Sequence, residues 1–231
     1  MKRLVVVSLI LSIAAAVSPA QSSRGPLGVT TGSLSISGSG SLFSPVTGDY
    51  DASTKITDPL EAGPALGISV GYSISPLLTL RGSYDFAYNE FDAQYRPDGK
   101  TPAFVAPMIT ADVVLKFGSL ISKQGQFNPY CFTGTGLSLW KFTQDGTCGK
   151  GRGIPAVSPT GSEWKDSSFE LHTGLGAEAY IASNFSLFAE GQFRYFFSKN
   201  TAEFGKDFGN LLFIKVSGGV TYYFDLGGEG K

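Results

Sequence analysis

Histidine is almost missing from this chain of 231 residues: His172 is the single one. Cysteine is scarce too, with only Cys131 and Cys148. Three such residues offer none of the Cys/His spacings that hold zinc. The acidic residues of the polar connections, Asp49, Asp51, Asp58, Asp92 and Asp98, are spaced too irregularly for a calcium loop. A serine hydrolase needs its base within hydrogen-bond reach of the nucleophile, yet Thr173 and Gly174 follow His172 and no His-x-Ser pair exists. These shortages predict a protein with no metal, no other cofactor and no enzymatic activity. Charge is low as well. Only 16% of the residues are Asp, Glu, Lys or Arg, the formal net charge is −1, and no basic patch stands out. Nucleic acid is thereby excluded as a partner. Beyond residue 20 there is no apolar run of the ~20 residues that a spanning helix requires.

In place of these the chain has 30 glycines, 18 phenylalanines and 10 tyrosines. It opens with MKRLVVVSLILSIAAAVSPA, in which Lys2 and Arg3 precede an apolar run from Leu4 to Val17 and a small-residue site at Ser18-Pro19-Ala20. That order predicts a secretory signal peptide over 1–20. Residues 21–231 then form one domain, its strands within about 28–224, followed by a short C-terminal tail.

Past residue 30 the dominant signal is period-two alternation. Thr31–Phe43 sets Ser33, Ser35, Ser37, Ser39 and Ser41 against Leu34, Ile36, Gly38, Gly40 and Leu42. Ala65–Tyr72, Leu78–Asn89, Val105–Phe117, Phe169–Ile181, Phe185–Phe197 and Ile214–Phe224 alternate in the same way. Tyr130–Phe142 is strand-like with a less regular phase. Placing Tyr130, Phe132, Trp140 and Phe142 on its apolar face puts Leu137 and Leu139 on the polar one, a conflict that a bulge near Gly134–Gly136 would repair. Pro107 is awkward in a sheet without a free edge, which predicts that the fourth strand starts after it. Eight strands result. The connections after the second, fourth and sixth are shorter (73–76, 118–128, 182–184), and those after the first, third, fifth and seventh are long and polar (44–61, 90–102, 143–166, 199–210). An antiparallel up-and-down meander therefore collects the short turns at one end and the long loops at the other.

The strand charges are Arg81, Asp85, Asp112, Lys116, Lys141, Glu170, Glu178, Glu190, Arg194 and Lys215. Wherever one strand carries two, an even number of positions separates them, so they share a face. A soluble barrel or sandwich would wet that face, whereas a membrane barrel would turn it inward. Alternation alone leaves both open. Three features favour lipid outside. The polar face is mostly Ser, Gly and Thr. Its ten charges balance, as suits pairing in a confined interior. Aromatic residues (Tyr84, Phe86, Tyr88, Trp140, Phe142, Tyr195, Phe197, Tyr222, Phe224) gather near strand ends, where interfacial girdles form. The expectation is an all-β, eight-stranded antiparallel up-and-down transmembrane β-barrel with a polar interior.

With its leader, its hairpin layout and a closing strand VSGGVTYYF (Val216–Phe224), the chain resembles the small eight-stranded outer-membrane barrels of the OmpA/OmpX type. The resemblance spans about 28–224. It implies residence in the outer membrane after signal-peptide export, contact with outer-membrane lipid, and recognition of Val216–Phe224 by the barrel-insertion machinery. In that family the closing aromatic often ends the chain; here Asp225–Lys231 follow it.

Within such a barrel, Arg81, Asp85, Asp112, Lys116, Lys141, Glu170, His172, Glu178, Glu190, Arg194 and Lys215 are expected to form an interior charge network, with His172 beside Glu170. Cys131 would start a strand at the short-turn end and Cys148 would lie in a long loop at the other end. At ~3.3 Å per residue their sulfurs fall more than 20 Å apart, too far for a disulfide. Function is expected to be structural or surface-exposed, through adhesion or partner contact by the long loops, including an extracellular ligand of unspecified kind. A narrow channel for small or hydrophobic solutes is the alternative, and a lipid-modifying enzyme comes third.

Overall fold

The computed structural model describes residues 31–50, 54–96, 100–118, 126–143 and 160–224. The expected signal peptide, Cys148 and the tail after Phe224 lie outside the described residues.

Eight strands follow in chain order: β1 (Leu34–Thr47), β2 (Gly63–Ser73), β3 (Leu78–Glu90), β4 (Ala103–Lys116), β5 (Phe127–Thr143), β6 (Lys165–Ala182), β7 (Phe185–Phe196) and β8 (Leu211–Phe224). Each pairs antiparallel with its neighbour in sequence, and β8 returns to β1 with Leu34 opposite Phe224. The sheet is a closed barrel, so every strand is laced on both sides and no edge is left exposed.

Alternation decides what the wall shows to each side. Ile68, Ile109, Leu137 and Leu175, each 54–70% exposed, stand on the outside. With Leu66, Val70, Leu115, Leu171 and Val220 they make a continuous apolar exterior. Among the expected girdle residues, Tyr84, Phe86, Tyr195, Phe197, Tyr222 and Phe224 are exposed there too. Serines 33 and 35 on the β1 side, Thr79 on β3 and Thr110 on β4 are buried within.

Three local expectations are corrected. Pro107 does not delay β4, which begins at Ala103 and runs through it. The pairing of β4 with β5 passes from Val105↔Lys141 to Met108↔Ser138 in unchanged register and skips Ala106 and Pro107, while β3 still pairs with both. A residue without N–H is thus tolerated by leaving one stretch of one seam unlaced. Second, β5 needs no bulge: its register to β6 is constant from Phe127↔Ala179 to Lys141↔Lys165. Leu137 and Leu139 face outward, and Tyr130, Phe132, Trp140 and Phe142 are buried inside, so Trp140 and Phe142 do not belong to a girdle. Third, Tyr88 is buried on the outer side of β3 against Ala103 and Val105.

Candidate functional site: the barrel interior and its aromatic cap

The inward side chains stack in three layers along the barrel. At the short-turn end, Glu178 is the hub. Lys116 Nζ lies 3.1 Å from its Oε2 and donates to Tyr223 Oη at 3.0 Å. Tyr180 Oη donates to Glu178 at 3.1 Å, and Ser186 and Tyr223 also donate to it. Four strands, β4, β6, β7 and β8, meet on this one carboxylate and its lysine.

The middle layer is denser in charge. Arg81 Nε donates to Asp112 Oδ2 at 2.8 Å, and its Nη1 donates to Glu190. Tyr130 Oη donates to Glu190 at 2.8 Å, and the Arg81 guanidinium lies 4.6 Å from the centroid of the Phe132 ring. His172 Nε2 is 2.6 Å from Asp112 Oδ1, while its Nδ1 is 3.5 Å from Glu170. Arg194 reaches Asp85 at 3.1 Å, Glu170 at 3.4 Å and the sulfur of Met108 at 2.8 Å. Lys215 Nζ meets Asp85 Oδ1 at 2.6 Å. Four carboxylates therefore share three permanent cations, and His172, when protonated, supplies the fourth.

Ten of the eleven sequence-nominated residues converge here. Lys141 does not. Trp140 and Phe142 are buried inside, so the residue between them faces outward with Leu137 and Leu139. Its correction follows directly from the phase of β5.

Sequence reading missed the top layer, which is apolar. At the long-loop end, Phe43, Phe104, Trp140, Phe142, Phe196 and Phe213 fill the lumen. The connections then fold over them, bringing Ile56, Leu60, Phe91, Trp164, Phe204 and Phe208 into the same cluster. Trp164 is sandwiched between Tyr50 (centroids 5.4 Å apart, 8° between planes) and Phe204 (5.3 Å, 4°). Three different connections thus close on one indole. Asn89 secures the rim by donating to the carbonyls of Phe43 at 2.6 Å and Glu61 at 2.9 Å.

The inward rings of the lower half have a shared device. Tyr130 pairs across the seam with Gly176, Phe132 with Gly174, and Phe188 with Gly219. A Cβ at Gly176 would stand 2.5 Å from Tyr130 Cζ, and one at Gly219 2.6 Å from Phe188 Cζ. Each ring lies flat across the bare backbone of the adjacent strand, which turns a missing side chain into contact area. Gly176→Ala is expected to lift Tyr130 off Glu190 and lower unfolding stability in detergent by about 1–3 kcal/mol, the usual cost of overpacking. Urea titration followed by tryptophan fluorescence checks it.

Two interior cavities measure about 40 Å³ and 30 Å³, enough for one or a few waters. Arg81, Phe188 and Glu190 line both. Among the described residues no cluster of His, Cys, Asp and Glu has the arrangement of a metal site. Cys131 is a free, half-buried thiol on the outer side of β5.

A closed antiparallel barrel with an apolar exterior, an ion-paired lumen and its four longest connections at one end is an integral outer-membrane barrel. The chain matches the family model described as Outer membrane protein beta-barrel domain over residues 5–224, and it belongs to that family. Its fold is similar to that of Neisserial surface protein A, at 19% identity and TM-score 0.51, covering 84% of this chain and 99% of that one. OprG from Pseudomonas aeruginosa (14%, TM-score 0.52, 86% and 99%) and a major outer membrane protein from Thermus thermophilus (14%, 0.51, 83% and 99%) share it. Comparison with curated protein sequences gives no match. An outer-membrane location makes the exterior testable. Ile109→Arg, near the middle of β4, is expected to cost about 2–4 kcal/mol in lipid vesicles, read as a lower urea midpoint for folded barrel on a gel.

Proposed function

We propose that this protein is a non-enzymatic outer-membrane barrel that stabilises the envelope and presents its long connections for contact at the cell surface. Residues 1–20 direct export, the barrel-insertion machinery reads Val216–Phe224, and the long-loop end faces outward. The observation that carries this reading is the packing of the lumen among the described residues: two layers of paired charge below an aromatic cap, with cavities of about 40 and 30 Å³ between them. The interior charges serve as scaffold. Each is answered by a partner on another strand, and together they tie β3, β4, β6, β7 and β8 across the lumen. His172 sits 4% exposed between Asp112 and Glu170, away from any lipid substrate, which supports a structural role for it.

Transport through a narrow channel is the second reading, since the two cavities share Arg81, Phe188 and Glu190 as a common wall. Planar-bilayer recording distinguishes them. The purified barrel is expected to give no stable unitary current; reproducible single-channel steps would transfer the assignment to transport.

A further inference from the structure

We propose that the middle layer is built around one bound proton, carried by His172 as an imidazolium between Asp112 and Glu170, and that its release in alkali loosens the barrel. His172 and Glu170 are both buried in the lumen, so neither turns to bulk water. Nε2 of the ring is 2.6 Å from Asp112 Oδ1, and Nδ1 is 3.5 Å from Glu170 Oε1. A neutral imidazole has one N–H and one lone pair. With the hydrogen on Nε2, Asp112 is satisfied and the Nδ1 lone pair faces the Glu170 carboxylate. With it on Nδ1, the lone pair meets Asp112 instead. Either tautomer sets acceptor against acceptor, and only the doubly protonated ring donates to both sides. The unanswered atoms fall at this place: Nδ1 of His172 and both carboxylate oxygens of Glu170 are buried without a hydrogen bond.

The charges around the ring call for the same proton. Asp112 faces it from β4 and Glu170 from its own strand. Arg194 on β7 is its direct cross-strand partner, and the Phe132 ring on β5 lies 6.4 Å away. Behind these, Arg81 on β3 holds Asp112 and Glu190, while Asp85 on β3 is shared by Arg194 and by Lys215 on β8. Asp85, Asp112, Glu170 and Glu190 thus stand against Arg81, Arg194 and Lys215, one negative charge in excess. The excess falls on Glu170, whose permanent cation is Arg194 alone, at 3.4 Å. A buried charge without compensation is strongly destabilising. One proton cancels it, and the imidazole takes it ahead of the carboxyl, whose ordinary proton affinity is lower by about two pH units. Without that proton the Nδ1 lone pair opposes Glu170, and Arg194 is left to serve Glu170 and Asp85 unaided. The layer at the short-turn end is balanced by itself, Lys116 against Glu178, and does not share in this.

His172 is the single histidine of the chain, so a barrel labelled with heavy nitrogen in histidine alone shows one imidazole by NMR. In a neutral detergent at about pH 7.5 both ring nitrogens are expected to carry hydrogen. A neutral ring at that pH overturns the proposal. Urea unfolding reads the energetic side. The unfolded chain gives up its imidazole proton near pH 6.5, at about the ordinary value. Above that point the folded barrel binds the extra proton, so stability falls as pH rises, by up to about tenfold in the folding constant per pH unit. Glu170→Gln removes the excess charge, and its amide donates to Nδ1 of a neutral ring whose Nε2–H still serves Asp112. This variant is expected to keep one urea midpoint from about pH 6.5 to pH 9 and to exceed the wild type at the upper end. Heat-modifiable gel migration verifies that both proteins are folded at each pH. A wild-type midpoint that does not move over this range overturns the proposal, as does a Glu170→Gln profile that falls in parallel with the wild type.

Discussion

Arg194→Met is expected to be the most damaging single change in the barrel, lowering stability by about 3–5 kcal/mol. Arg194 is 1% exposed and stands between Asp85 and Glu170. Methionine fills similar volume, so the loss is one of charge. Glu170 is left almost without compensation: its carboxylate has no hydrogen bond of its own and is held by Arg194 at 3.4 Å and His172 at 3.5 Å. Asp85 keeps Lys215. The damage therefore traces mainly to Glu170, and Glu170→Gln added to Arg194→Met should restore more than half of the loss. Urea unfolding of the wild type, both single variants and the double variant in the same detergent forms a closed cycle that measures the coupling. If the pair behaves additively, Arg194 is not Glu170's counter-charge.

The second large effect belongs to the aromatic cap. Trp164→Ala removes the ring held between Tyr50 and Phe204 and contacted by Phe142 at 5.6 Å and Phe208 at 5.1 Å. Truncating a buried tryptophan costs about 3–5 kcal/mol. Here the cost falls on loop closure, because the strands are laced to one another independently of Trp164. The barrel should still migrate as a folded species, while proteolysis of the connections accelerates by roughly a hundredfold or more, following the local opening equilibrium. Conductance should stay nil, since both charged layers lie below the cap. A Trp164→Ala barrel that conducts would identify the cap, rather than the ion pairs, as the seal.

Much of this was legible in the chain. Strand number, up-and-down order and the inward orientation of Arg81, Asp85, Asp112, Lys116, Glu170, Glu178, Glu190, Arg194 and Lys215 follow from alternation, because a pleated strand sends every second side chain the same way. Alternation fails where a ring points inward. Tyr130, Phe132, Trp140 and Phe142 look like a lipid-facing face, and that phase for β5 carries Lys141 inside, whereas the four rings point inward and Lys141 outward. The cue that would have resolved it is non-local: Gly174 and Gly176 sit opposite Phe132 and Tyr130 only once the register with β6 is known. Phe43, Phe196 and Phe213 share parity with Ser41, Arg194 and Lys215, so their inward aim was in the pattern; that they end in a cap was not. The cap needs Ile56, Leu60, Trp164 and Phe204, which are far apart in sequence and carry no periodicity. Pro107 is hard to place for a different reason: a closed sheet does not need every N–H, because one seam yields locally.

The Tyr50–Trp164–Phe204 sandwich pins three of the long connections to the barrel mouth. A connection lengthened away from those rings costs only the extra closure entropy, about 0.6 kcal/mol for each doubling of its length. The mouth of the barrel would not register the change. Changes in the length of these connections are thereby decoupled from the durability of the wall beneath, and three aromatic rings are what keep the two apart.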